Sequence, residues 1–220
     1  MIKIEPAWPV GFDAAIRGMR NSMNSWNKMD SYYIWPDKKE FHIGPNDHNL
    51  MIKLRNAGTD HHKFMCMIVV HTDITAPLYW WNEFDSYKID TVSNSYSTMH
   101  KIAEKEFTLS DFSYDNLFPW SIDVLQDTIA EMNYYRNIYL NGGEIKWGDT
   151  KVYKPKDKEI WWQMIQLLPS SYNQKRTVML NYEVLANMYE SRKNDKLDCW
   201  VEFCKWIETL QYSELITGEK

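Results

Sequence analysis

Glycine and cysteine are scarce in this chain of 220 residues, at 8 and 3 respectively. So few glycines leave nothing resembling GxGxxG or a P-loop, which excludes a Rossmann-type turn or a Walker phosphate cradle. Cys66, Cys199 and Cys204 form no CxxC pair and leave an odd count. Cys199 and Cys204 lie five apart on a predicted helix, so their side chains diverge. The expectation is three reduced, mostly buried thiols in a reducing compartment. Long apolar runs are also missing. The longest, Met65 to Val70, has strand length and falls far short of the ~20 residues that span a bilayer. Met1-Ile2-Lys3-Ile4-Glu5-Pro6 puts a charge and a proline where a signal peptide needs an apolar core, so a cytoplasmic location is expected.

Basic charge is not in excess: 25 Lys and Arg face 30 Asp and Glu, for a net −5. A grip on long nucleic acid is therefore disfavoured, although a local basic pocket for one nucleotide is compatible with that balance. No GxSxG is present, which leaves hydrolase chemistry without its nucleophile turn. The histidines (His42, His48, His61, His62, His71 and His100) form neither HExxH nor a zinc-type Cys/His spacing, so no metal is expected.

Aromatic residues are abundant, with 11 Trp and 14 Tyr. That density suits a thick core, a subunit interface or stacking surfaces for flat ligands, and composition does not choose among them. Hydrophobic residues at 44% and charged residues at 25% describe an ordered chain, long enough for one domain over residues 1–220 with a substantial core.

Ile2 and Ile4 alternate with charges and predict a short strand ended by Pro6 and Pro9. Asp13 is placed to cap a helix from Ala14 to Trp26, with Ile16, Met19 and Met23 on one face. Residues 30–46, with Pro36, Gly44 and Pro45, read as irregular. Asp47 opens a short helix through Leu54, stopped by Gly58. Phe64 to Thr72 reads as a buried strand and Pro77 as the start of a helix carrying Leu78-Tyr79-Trp80-Trp81. A polar loop covers Thr91 to Thr98. Asn116 to Leu140 has helical period and ends at Asn141-Gly142-Gly143; residues 144–155 read as an exposed hairpin or loop. Helices follow over Lys156–Leu168, Thr177–Arg192 and Lys196–Leu210, the last capped by Asp195. The sum is an α/β (α+β) chain, a helix-rich single domain around a small sheet.

Two segments carry unusual chemistry. In His71 to Lys88, running into Asn94-Ser95-Tyr96-Ser97, a strand hands over to a proline-started helix and then to a loop of hydrogen-bonding side chains. Spacing alone is equally served by a core strand, a packed helix and a solvated turn. The second is Leu168-Pro169 followed by Asn181 to Arg192. On one continuous helix, Asn181 and Arg192 would point within about 20° of each other, about 16 Å apart along the axis. Val178, Tyr182, Leu185 and Tyr189 would form its apolar stripe. Amides beside such a stripe suit a solvated edge, or a uracil or flavin edge, since an amide offers both donor and acceptor. Arg192 alone is equally a helix C-terminal cation, stabilised by about 0.3–1 kcal/mol.

The order of these segments, over about residues 47–207, resembles the flavin-dependent thymidylate synthase family, which methylates dUMP using FAD, NADPH and methylenetetrahydrofolate. Its helix, Gly-His turn, strand, Ala-Pro and aromatic-rich helix correspond to Asp47–Leu54, Gly58-Thr59-Asp60-His61, Phe64–Thr72 and Ala76-Pro77-Leu78-Tyr79-Trp80. Leu168-Pro169 resembles its Leu-Pro; Asn181, Leu185, Asn187 and Arg192 fall at its Asn, Leu, Asn and Arg spacing, and Trp200 at a core tryptophan. The resemblance implies flavin contacts from Asn181, Asn187, His61, Lys88 and Asn94. It implies substrate contacts from Arg192, Ser97, Tyr87 and Glu83, with Arg192 reading the pyrimidine and Arg192 and Ser97 as the catalytic candidates. It also implies a homotetramer with sites at subunit contacts.

The departure lies in the signature loop. The family's Arg-His-Arg, Ser, Asn-Glu, Ser and Arg-Tyr correspond to Ser86 through His100, where Asn94 and Ser97 keep an Asn-x-x-Ser spacing and Lys88 keeps one positive charge. The other phosphate-gripping arginines have no equivalents, and Ile165 stands where relatives carry one before the Leu-Pro. Lost charge-assisted contacts cost about 1.5–3 kcal/mol each; Lys88, Lys101, Lys175 and Arg176 are the candidate substitutes. Two functions stay open: a divergent enzyme acting on a pyrimidine deoxynucleotide, or a catalytically inactive protein that binds a nucleotide or nucleotide-derived signal. An unrelated interaction protein with a purely structural aromatic core is the remaining reading.

Overall fold

The computed structural model describes residues 2–34, 40–89 and 91–218. In chain order these carry β1 (Lys3–Ile4), α1 (Phe12–Ser22), β2 (Tyr32–Tyr33), β3 (Phe41–His42) and α2 (Pro45–Asn56). A 3-10 stretch over Thr59–Met67 leads to β4 (Val69–Pro77), α3 (Leu78–Phe84), β5 (Val92–Ser95) and α4 (Thr98–Lys101). Next come α5 (Pro119–Asn141), the hairpin of β6 (Gly143–Trp147) and β7 (Asp149–Tyr153), and α6 (Lys158–Leu167). The chain ends with β8 (Asn173–Asn181), α7 (Tyr182–Arg192), α8 (Asp198–Glu208) and α9 (Glu214–Thr217). One sheet has the order β1-β4-β8-β5, so the class is the expected helix-rich α/β around a small sheet.

Two compact units divide the chain: Ile2–Ile74, Glu83–Asn94 and Arg176–Lys220 form the larger, Thr75–Asn82 and Ser95–Lys175 the smaller. In the larger unit, α1 buries Phe12, Ala15, Ile16 and Met19 at helical spacing. Gly11 rather than Asp13 starts this helix. It sits at φ 95°, and a Cβ there would come 2.1 Å from the Met67 carbonyl oxygen, so only glycine fits. The helix also stops early, at Ser22, which leaves Met23 51% exposed instead of on the inner face.

A buried ion pair locks α1 to α2. Arg20 Nε donates to Asp47 Oδ1 at 2.8 Å, while Asp47 Oδ2 accepts from the Asp30 and Ser31 amides and from Ser31 Oγ. Asp30 in turn accepts from the Asn46 and Asp47 amides, which caps α2. Within the expected irregular stretch, β2 and β3 pair Tyr32 with His42 and Tyr33 with Phe41. Pro36 lies outside the described residues.

Two sequence expectations fail at strand boundaries. The strand foreseen from Phe64 begins at Val69, because residues 59–67 close i→i+3 bonds that bury Phe64 and Met65 consecutively. The helix foreseen from Thr177 begins at Tyr182. Residues 173–181 are the strand β8, with Gln174, Val178 and Leu180 buried at even spacing, so Val178 is absent from the helical stripe. The predicted polar loop likewise contains an exposed edge strand, β5.

In the smaller unit, Leu125, Ile129 and Met132 of α5 pack with Met164 of α6, Phe107 and Phe112. Pro119 starts α5 and Gly142, at φ 76°, ends it. The Asp157 side chain accepts from the Glu159 amide and starts α6. Trp81 is fully buried and donates to the Gln174 carbonyl at 2.9 Å. β6 and β7 form the expected hairpin, with Gly143 opposite Tyr153. Among the described residues no helix is long and apolar enough to cross a membrane.

Candidate functional site

Asn181 ends β8 and caps α7, its Oδ1 accepting from the Val184 amide at 2.9 Å. From that start, Tyr182, Leu185, Met188 and Tyr189 fall on the buried face, and the last residue of the helix is Arg192. Arg192 is not a solvated helix end. Its Nε donates to the Tyr87 hydroxyl at 3.0 Å, and its Nη1 lies 2.7 Å from Asp195 Oδ2 and 2.8 Å from Glu83 Oε2. The guanidinium sits 4.7 Å from the centre of the Trp200 ring, and Trp200 Nε1 donates to Glu83 Oε2 at 2.9 Å. Nη2 keeps its two N–H groups without a protein partner among the described residues.

Three nominated residues thus converge: Arg192, Glu83 and Tyr87. Asp195 and Trp200 join them. Asp195 was expected to cap the last helix; that helix starts at Asp198, and Asp195 accepts instead from the Leu197 amide and Arg192. Its place three residues beyond a helix-ending arginine was the available signal. Burial opposes the charge on Arg192, but its bonds to Asp195 and Tyr87 and the nearby Glu83 carboxylate outweigh this and raise its pKa. Burial likewise pushes the Asp195 pKa up, yet the Leu197 amide and Arg192 hold it below the usual range. One cation and two carboxylates leave this group at −1. Chemically it offers a planar cation over an indole, with donor and acceptor side by side at one edge, as a heterocycle with both functions requires.

Other nominated residues lie apart from this group. Asn187 is on the exposed side of α7, Asn94 is exposed on β5, and Lys88 is exposed with no ion-pair partner among the described residues. Ser97 belongs to the smaller unit, where its carbonyl accepts from the Lys101 amide at the start of α4. Asp90, within the eroded loop, lies outside the described residues. Of the substitute cations, Lys101 pairs with Glu104, and Arg176 lies 2.7 Å from Asp85.

His61 lines a second feature of the larger unit, a cavity of ≈ 420 Å³ walled by Met67, Phe64 and Leu54 and edged by Asn21, Ser22, Asp60 and Lys63. Gly18 forms part of its wall, and a Cβ there would lie 3.1 Å from Met67 Sδ. The volume and the mix of apolar and polar side chains lie within the range of small-molecule sites. Among the described residues no group of His, Cys, Asp and Glu is arranged to hold a metal ion.

No family model matches the sequence, and no curated protein matches it either. Solved structures do match the fold. One is the flavin-dependent thymidylate synthase ThyX from Helicobacter pylori complexed with FAD and dUMP, at a TM-score of 0.64 and 13% identity over 97% of this chain and 99% of that one. A second, thymidylate synthase X from Helicobacter pylori with FAD and dUMP, gives a TM-score of 0.66 at 13% identity over 99% of this chain and 98% of that one. The fold is that of a flavin-dependent thymidylate synthase. Within this fold the arginine at the end of α7 is held between two carboxylates, Glu83 and Asp195.

Proposed function

We propose that this protein is a divergent flavin-dependent thymidylate synthase-like enzyme acting on a pyrimidine deoxynucleotide, dUMP in the simplest case. The observation that carries the reading is Arg192, fixed over Trp200 between Glu83 and Asp195, on a fold whose Helicobacter pylori examples hold FAD and dUMP. Arg192 Nη2 donates to a ring carbonyl of the base, and Glu83 accepts from the adjacent ring N–H. Trp200 and Tyr87 fix the guanidinium plane.

The cavity beside His61 fits one ring system of FAD, with Asn21 and Ser22 at its rim and Lys63 as its cation. When bound, flavin supplies hydride and one-carbon relay chemistry, with NADPH as reductant and methylenetetrahydrofolate as carbon donor. Asn187 and the exposed Lys88 and Asn94 complete the contacts in this reading. One domain spans 1–220 and assembles as a cytoplasmic homotetramer.

A catalytically inactive nucleotide-binding protein is the alternative, favoured by one observation: Arg192 Nε and Nη1 are already taken by the chain's own groups. The absorbance spectrum of the purified protein separates the two. Flavin absorbance, with a thermal shift on adding dUMP, supports the enzyme. A colourless protein that still shifts with dUMP supports the binder, and no shift with either ligand overturns both.

A further inference from the structure

A second cavity of the larger unit, ≈ 390 Å³, is lined by Arg20, Lys28, Asn46, Asn49, Leu50 and Lys53 and shares none of these residues with the cavity at His61. In a protein of net charge −5, this lining contains three cations, two carboxamides and no carboxylate. Asn46, Asn49, Leu50 and Lys53 are spaced i, i+3, i+4, i+7, so one face of α2 forms the wall. Lys28 comes from the 3-10 turn Trp26–Lys28, and that turn is pinned because its carbonyl accepts from Arg20 Nη2 at 3.2 Å.

Arg20 is buried, with 6% of its side chain exposed. Its Nε and Nη2 are satisfied by Asp47, but Nη1 has only a 3.5 Å contact to Ser25 Oγ. Arg20 and Asp47 cancel in charge, and Asp47 is saturated by its own donors. Lys28 and Lys53 have no ion-pair partners among the described residues, and the Asp30 carboxylate is engaged by the Asn46 and Asp47 amides, which it caps.

We propose that this cavity is an anion site for a small phosphate ester or diphosphate, separate from the group around Arg192. Lys28 and Lys53 supply the charge, Arg20 Nη1 the buried donor, and Asn46 and Asn49 neutral donors to the remaining oxygens. The size is that of a small-molecule site, and the overall negative charge argues against a nucleic-acid backbone as occupant.

Calorimetric titration with pyrophosphate at low salt tests this without reference to dUMP or flavin. Saturable one-site binding is expected. Lys28→Gln or Lys53→Gln should weaken it by about tenfold each, the loss of one charged hydrogen bond. Both lysines are exposed, so the melting temperature without ligand should not move, and Lys205→Gln on α8 should leave binding intact. Absence of saturable heat at millimolar pyrophosphate, or affinities of both lysine variants within twofold of the parent, would overturn the proposal. So would a single-stranded oligonucleotide displacing pyrophosphate at lower concentration.

Discussion

Replacing Arg192 with alanine removes a guanidinium that holds four partners at once: Asp195, Glu83, Tyr87 and Trp200. Asp195 is mostly buried, at 17% side-chain exposure, so its bond to Arg192 counts near the lower end for a charged hydrogen bond, about 1.5 kcal/mol. Glu83, at 38%, is screened and counts as a surface pair of about 0.5 kcal/mol. Stacking on Trp200 and the bond to Tyr87 add about 1 kcal/mol. The sum, about 3 kcal/mol, should lower the melting temperature by about 6–12 °C for a chain of this size. A mere helix-end cation would cost about 0.3–1 kcal/mol. Differential scanning calorimetry of Arg192→Ala, Arg192→Lys and Arg192→Ala/Glu83→Gln decides. Lysine should recover only part of the loss, because it cannot reach Tyr87 and Asp195 together. The double variant should be less destabilised than the two singles predict, since Glu83 no longer stands against Asp195 unscreened. A drop under about 2 °C for Arg192→Ala would refute the reasoning, because a helix-end cation alone would then account for the loss.

Asp47→Asn strands the Arg20 charge in the interior and should cost about 3–5 kcal/mol, read from urea unfolding. Burial favours the neutral Asp47, but Ser31, Arg20 and the Asp30 and Ser31 amides hold its pKa below the ordinary carboxylate value. Its stabilisation is thus fully present above the unfolded pKa of about 4 and is lost as pH falls through the lower folded value. The acid limb should be shallower in the variant but still present, because Asp13, Asp111 and Asp195 also have lowered pKa values and keep their share. Asn181→Ala removes the cap of α7 and should cost about 1 kcal/mol, with faster hydrogen exchange confined to the Val184 amide and its first-turn neighbours; unchanged exchange there would mean the cap contributes nothing.

What the sequence disclosed depended on whether one local signal dominated. Pro119 and Gly142 bracket α5, and nothing in that segment competes with a helix, so its limits were foreseen within a few residues. Residues 173–192 carry two overlapping periods. Val178, Tyr182, Leu185 and Tyr189 are spaced as a helix, while Gln174, Val178 and Leu180 alternate as a strand. Sheet partners for β8 are remote in sequence, so a local reading followed the helix and moved its start upstream. The convergence of Glu83, Tyr87 and Arg192 followed from resemblance rather than periodicity. Asp195 and Trp200 were legible only as a cap and a core ring, because their meeting with Arg192 requires the turn between α7 and α8. The anion cavity left no motif at all, since Lys28 and Lys53 are brought together by the Arg20–Asp47 lock between separate helices.

The sheet order β1-β4-β8-β5 also bears on how the chain emerges from the ribosome. β4 leaves synthesis at Pro77, yet the strand that covers its far side is not made until Asn173 to Asn181. The smaller unit ends at Lys175, so its residues are complete while the larger one still lacks α7, α8 and α9. Until then Val70, Thr72, Ile74 and Ala76, buried in the finished sheet, belong to a nascent strand with an unpaired edge. Pairing across so much intervening chain is slow, and exposed edges recruit other chains. The interrupted order of the larger unit therefore makes its first third a client for chaperones during translation, and makes chains terminated before β8 aggregate rather than persist as folded fragments.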